Sequence, residues 1–269
     1  MGWPYKTVLM VGCTAGLGVA MAERMIENGS FVIAVGRRQD RLDEFAAKHG
    51  PDKVATSRLD ISDLEAIKPW AEGIIEKHPG LDCVVLNAGI QRGLDFAQPA
   101  AIDLALVRKE IDTNYTSYIS LLAGFLPHLQ TRGPAPAAVL GVSSGLALVP
   151  LPRCANYCAT KAALHALLWS LRAQLAADAA SAHIRVVEVV PPAVQTELHE
   201  LQPDMVAAGL ANIGIPVEEF ISDCWAGLEA GEEEILVGPL KANFATLEDG
   251  RRAVFRNFVA GMAAGKLPK

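Results

Sequence analysis

Tyr157 and Lys161 stand four residues apart, and of the chain's four tyrosines (Tyr5, Tyr115, Tyr118, Tyr157) only Tyr157 has a lysine at that spacing. On a helix, residues i and i+4 share a face. An ammonium there favours the phenolate and draws the phenol down from its usual pKa of about 10. A fall of ~3 units requires about 4 kcal/mol of differential interaction. It would bring the phenol into the range where general acid–base transfer is efficient. By itself the pair equally describes an exposed helix face. Thirteen residues before Tyr157, Ser144 follows the apolar run 139–142. At the carboxyl end of a strand its hydroxyl can donate a hydrogen bond to a substrate carbonyl, or simply close a turn.

A second constellation lies near the start. The apolar run 7–11 leads into Gly12-Cys13-Thr14-Ala15-Gly16-Leu17-Gly18, a G-x-x-x-G-x-G turn that opens a helix. Glycines let backbone approach a pyrophosphate closely, and the helix start offers unpaired N–H groups and a positive dipole end. Without a ligand the same residues make a tight turn. After the next apolar run come Gly36, Arg37 and Arg38, where a carboxylate would bind a ribose 2′-hydroxyl and repel a phosphate. Arginine there pairs with a 2′-phosphate through charge-assisted bonds, which points to NADP(H). The alternative is a solvated basic start to an exposed helix.

The elements that position these groups alternate. Short apolar runs at 7–11, 31–35, 54–59, 83–86, 138–142, 185–190 and 234–237 read as strands. They are continuous rather than alternating, the mark of strands buried on both faces of a parallel sheet. Helical patterns fill 16–28, 38–49, 62–77, 104–129 and 156–180. The layout predicts an α/β fold, a doubly wound parallel sheet of about seven strands with helices on both faces. Asn28-Gly29 closes the first helix, and Ser62 with Glu65 reads as a capping box. No linker or repeat divides the chain, so 1–269 is expected as one domain. Within it, 197–231 is an excursion expected to cover a substrate, with a short helix introduced by Pro216.

Composition narrows the class. With 51% hydrophobic and 20% charged residues, the 269-residue chain is built to bury a core rather than remain disordered. A net charge of −6 disfavours nucleic acid as a partner, since phosphate neutralisation needs a basic face. Five scattered cysteines (Cys13, Cys83, Cys154, Cys158, Cys224) make a poor disulfide framework and suggest a reducing compartment. No histidine or carboxylate stands at ligand spacing beside Cys154 and Cys158, so no metal is expected. No run is long enough to cross a membrane, and the N-terminus lacks a signal-peptide layout, so a cytoplasmic location is expected.

Taken together and in order, these motifs resemble the short-chain dehydrogenases/reductases of the single-domain Rossmann type. The resemblance rests on Gly12–Gly18, on Asp60-Ile61, on Asn87-Ala88-Gly89, on Asn114, on Ser144, Tyr157 and Lys161, and on Pro191 to Thr196. It implies that Tyr157 exchanges a proton with the substrate, Lys161 holds the nicotinamide ribose and lowers the Tyr157 pKa, Ser144 polarises the carbonyl, and Asn114 positions a relay water. It further implies that Gly12, Thr14, Gly16, Leu17 and Gly18 cradle the pyrophosphate. Asp60 and Ile61 would meet the adenine, Asn87, Ala88 and Gly89 the adenosine side, and Val194 and Thr196 the carboxamide. Asn87 would also tie strands together. Two residues depart from the family pattern: Val11 stands where threonine is usual, and Pro192 where glycine is usual. Pro192 fixes φ and removes a donor, which reshapes the wall beside the nicotinamide.

The expected activity is an NADP-dependent oxidoreductase interconverting a ketone or aldehyde with an alcohol. The expected substrate is an apolar small molecule and the expected direction carbonyl reduction. The alternatives are an NADP-binding regulator without turnover, and an isomerase or cyclase on the same fold. His199, on the excursion, is a candidate for substrate contact, whereas His165 reads as helix packing. The apolar helix 156–180 suggests pairing across a two-fold into a homodimer or homotetramer, and the aromatic spacing of 244–258 suggests packing over the sheet.

Overall fold

The apolar runs become strands because each must bury both faces. The computed structural model describes residues 2–264. It shows β1 (Thr7–Val11), β2 (Phe31–Gly36), β3 (Val54–Arg58), β4 (Cys83–Leu86), β5 (Ala137–Val142), β6 (Ile184–Val190) and β7 (Glu234–Leu236). They form one sheet in the order β3-β2-β1-β4-β5-β6-β7, and every neighbouring pair is parallel. Between them run α1 (Gly16–Glu27), α2 (Gln39–His49), α3 (Leu64–Lys77), α4 (Leu104–Ile111), α5 (Ser117–Gln130) and α6 (Ala155–Ala177). Then come α7 (Glu197–Glu200), α8 (Pro203–Ala207), α9 (Val217–Ala230) and α10 (Leu240–Ala263).

Successive residues of a strand face opposite sides of the sheet, and the chain uses this to build two cores. Val8 and Met10 of β1 pack with Met21 and Met25 of α1 and with Phe220 and Trp225 of α9. Leu9 and Val11 face the other side, among Ile67 of α3, Tyr118 and Phe125 of α5, and Leu164 and Leu168 of α6. Asp82 fastens the amino end of the sheet by accepting from Lys6 N and Thr7 N at 2.9 and 3.0 Å. Winding reverses between β1 and β4, which leaves a crevice at the carboxyl ends of the strands, where ligands enter such sheets. No helix among the described residues is long and apolar enough to cross a membrane.

The structure departs from the sequence expectations in several places. Ser62 does not cap α3; it bonds back to Asp60, and Asp63 accepts from Ala66 N instead. The stretch 104–129 is not one regular helix, because a π-turn at Asp112–Thr116 interrupts it between α4 and α5. Within the expected cover 197–231, only α7, α8 and the loop to Ile213 reach the crevice, while α9 turns its apolar face into the core against α1. The C-terminal region forms a 24-residue helix, α10, of which Leu240 and Phe244 line the crevice and Phe255 meets Trp169 at 5.3 Å.

Candidate active site

A cleft of about 610 Å³ runs along the carboxyl ends of β1, β2, β4, β5 and β6. Sixteen of the eighteen predicted site residues line it: Gly12, Thr14, Gly16, Leu17, Arg37, Arg38, Asp60, Ile61, Asn87, Ala88, Gly89, Ser144, Tyr157, Lys161, Val194 and Thr196. Gly18 and Asn114 lie just behind its wall.

The glycine turn is shaped by close approach. Gly12 has φ +93°, and a Cβ there would meet Ala88 Cα at 2.7 Å. Its N–H and that of Cys13 donate to Val35 O at 2.8 and 2.9 Å, which seats the turn against β2. Gly18 lets α1 rest directly on the turn: a Cβ there would fall 2.1 Å from Gly12 O, the same oxygen that accepts from Asn87 Nδ2 at 3.2 Å. Asn87 thus ties the end of β4 to the turn. The start of α1 has neither a capping side chain nor an acidic residue in its first turn. Its amides and dipole therefore face the cleft unopposed, the arrangement that receives an anion. This cradle fits the pyrophosphate of a dinucleotide.

At one end of the cleft the two arginines differ. Arg38 is engaged: it donates to Thr14 O at 3.0 Å and pairs with Glu197 Oε2 at 2.7 Å, latching α7 to the end of β2. Arg37 is exposed and makes no hydrogen bond or ion pair among the described residues. Burial alone would raise the Asp60 carboxyl, but hydrogen bonds from Ser62 and the charge of Arg37 hold it below its usual value.

At the other end, Ser144, Tyr157 and Lys161 come together, all less than 8% exposed. Ser144 Oγ accepts from Leu146 N at 3.1 Å, which leaves its own proton to donate. Lys161 Nζ donates to Val142 O at 2.8 Å and lies 5.7 Å from the Tyr157 ring centre. Asn114 sits on the π-turn, a feature that often marks functional sites. Its amide donates to Ile90 O and Thr160 Oγ1 and accepts from Ile90 N, so one Oδ1 lone pair remains to hold a water.

The electrostatics correct one expectation. Burial pushes the Tyr157 phenol above its usual value, with the Ser144 hydroxyl pulling it partly back. Spacing alone suggests acidification by Lys161, yet that ammonium is turned toward a backbone carbonyl and is itself lowered by burial to about 8.

Sequence reasoning missed the polar groups Gln91, Arg92 and Arg153, and much of the apolar wall formed by Leu146, Val149, Leu151 and Phe244. Their signal is only that they follow β4 and β5 or lie on the last helix. His199 does line the cleft; burial and the charge of Arg153 lower its pKa, and its Nδ1 is buried without a partner. Pro192 stands in the wall, where Val194 is fixed by a parallel bridge to Ile215. All five cysteines are free and buried.

Comparison with known proteins places this geometry. Residues 6–206 match the family model described as short chain dehydrogenase. The chain is 38% identical over 233 residues to the uncharacterized oxidoreductase DltE of Bacillus subtilis (strain 168), covering 86% of this chain and 87% of that protein. It is 32% identical over 184 residues to the NADP-dependent 3-hydroxy acid dehydrogenase YdfG of Salmonella typhi, covering 68% and 71%. Among solved structures it is similar to a short chain dehydrogenase from Burkholderia cenocepacia J2315 in complex with NADP. That likeness has a TM-score of 0.75 and 26% identity, and covers 96% of this chain and 98% of the other.

Proposed function

Because the chain belongs to the short-chain dehydrogenase family, we propose that it is an NADP(H)-dependent carbonyl reductase acting on a small, largely apolar ketone or aldehyde. The observation that carries the reading is one continuous cleft with Ser144, Tyr157 and Lys161 buried together at one end and the exposed Arg37 at the other.

The chemistry of this chain's own residues follows from their positions. Ser144 donates a hydrogen bond to the substrate oxygen and draws electron density from the carbonyl carbon. Tyr157, kept protonated by burial, delivers its proton to that oxygen as charge develops there. Lys161 would hold the ribose hydroxyls, and with a pKa near 8 it can exchange protons close to neutral pH. Asn114 keeps one acceptor site for a water that returns a proton toward Lys161. When bound, the reduced nicotinamide supplies the hydride. The loop side of the pocket, with Leu146, Val149, Leu198 and Met205, receives the substrate's apolar part and excludes water. The stretch from Glu197 to Ile213 serves as its cover. The name of the YdfG relative fits a substrate with a hydroxyl and an acid group; Arg92 is the cation in the loop side of the cleft wall near which an acid would lie, since Arg153 pairs with Asp204 at 2.6 Å.

Arg37 is the group assigned to the 2′-phosphate, since Arg38 already holds Thr14 and Glu197. Arg37→Glu is expected to raise the KM for NADPH about a hundredfold, the loss of a charge-assisted pair plus a repulsion. The KM for NADH should change by less than about threefold, since NADH carries no phosphate to lose. Steady-state kinetics with both cofactors checks this, and equal effects on the two would remove the phosphate assignment.

A further inference from the structure

Beneath the reacting end lies a cluster of buried ionisable groups that the chemistry above does not use. His165 is one helical turn beyond Lys161 on α6 and is 2% exposed. Its Nδ1 meets Glu188 of β6 at 2.8 Å, and its Nε2 meets Glu248 of α10 at 3.2 Å. Glu188 is 0% exposed and Glu248 1%. A carboxylate–imidazole–carboxylate bridge thus joins the central sheet, the helix bearing Tyr157 and Lys161, and the last helix.

Such a cluster is costly to bury, and apolar side chains of similar volume would pack these sites as well or better. Packing alone does not account for it. The charges around it are unevenly shared. Glu248 has a cation of its own, since Arg251 pairs with it at 2.7 Å on α10. Glu234 of β7 is held by Arg172 of α6 and Arg252 of α10. Among the described residues no arginine pairs with Glu188. Arg172 and Arg252 come near it only through Glu234, its register partner on β7, which they hold. On the other side lies Lys161: its Nζ donates to Val142 O, and Val142 is the register partner of Val189, the residue after Glu188.

We propose that Glu188, oriented by His165, is a positioning residue for Lys161: it supplies the buried negative charge that keeps the ammonium protonated where the chemistry runs. The part assigned to Lys161 rests on the oxidoreductase reading; the charge coupling does not. The titration behaviour agrees with the geometry. Burial lowers Lys161 to about 8, and Glu188 opposes that fall. Burial also acts to lower His165, yet its hydrogen bond to Glu188 and the nearby charge of Glu248 raise it to about 9. Loss of Glu188 therefore takes away a force that holds the Lys161 proton, and the midpoint must move down.

The test is a titration of Lys161 followed by the NMR signal of its ε-carbon, assigned by its loss in Lys161→Arg, in protein without cofactor or substrate. Glu188→Gln is expected to lower the Lys161 midpoint by about one pH unit or more, a tenfold loss of proton affinity. The alkaline limb of kcat should shift down by the same amount, which a purely structural role would not produce. An unchanged midpoint overturns the proposal. If Glu188→Gln does not fold, His165→Gln decides: it removes the cation that offsets Glu188 while keeping an amide donor to it, and should raise the Lys161 midpoint. A midpoint that stays or falls in that variant overturns the proposal. Because the titration needs no turnover, a protein that reduces no carbonyl would sink the oxidoreductase reading and leave this result standing by itself.

Discussion

Tyr157→Phe is expected to lower kcat for carbonyl reduction about 10³-fold, within the span of a lost general acid, while NADPH binding changes by less than about threefold. That factor corresponds to about 4 kcal/mol of barrier. The substitution removes one oxygen from a ring 6% exposed, packed with Cys154, Cys158 and Leu146, so the fold has little reason to respond. The phenol oxygen is coupled to the Ser144 hydroxyl, and both belong to the reacting end of the cleft. Pre-steady-state kinetics with a good carbonyl substrate, together with fluorescence titration of NADPH, separates the two effects. A kcat within tenfold of the parent would show that the proton comes from elsewhere.

Gly18→Ala is the second large effect. The new methyl would sit 2.1 Å from Gly12 O and 2.6 Å from Asn87 Nδ2. Gly12 O is backbone, held by a turn whose amides are bonded to Val35 O, so it cannot swing aside as a side-chain end would. Either α1 backs away from the turn or the turn deforms. We expect a stability loss of about 2–3 kcal/mol, as for an overpacked core, seen in urea unfolding. We also expect NADPH affinity to fall about a hundredfold, because the helix start is drawn away from the pyrophosphate. Unchanged stability together with unchanged affinity would mean that this contact does not shape the cradle.

Much of the fold is legible in residue order because burial on both faces demands continuous apolar runs. All seven strands follow from those runs, and the strand–turn–helix setting of Gly12–Gly18 marks the cleft before any coordinate does. What was not legible depends on contacts distant in sequence. The π-turn under Asn114 is one extra residue per turn within an otherwise helical pattern, and periodicity over so short a window cannot register it. Asp63 outcompetes Ser62 as cap because Asp60 claims the serine first. The amphipathic pattern of α9 shows that one face is buried but not whether a core or a substrate buries it, and α1 settles the matter. The Tyr157 pKa goes the opposite way from the spacing argument because burial, a property of the whole fold, outweighs a neighbour one turn away. Arg37 and Arg38 look equivalent in sequence; Glu197, far along the chain, distinguishes them.

In the proposed reaction Tyr157, Ser144 and Lys161 assist a hydride arriving at a carbonyl carbon. The direct test incubates the protein with NADPH carrying deuterium at the reactive C4 position and a reducible ketone, then locates the label in the product by mass spectrometry and NMR. The expected result is one deuterium on the new carbinol carbon, one NADPH consumed per alcohol formed, and both lost together in Tyr157→Phe. Product formed with no deuterium and no NADPH consumed would contradict it and favour a non-redox reaction on the same fold.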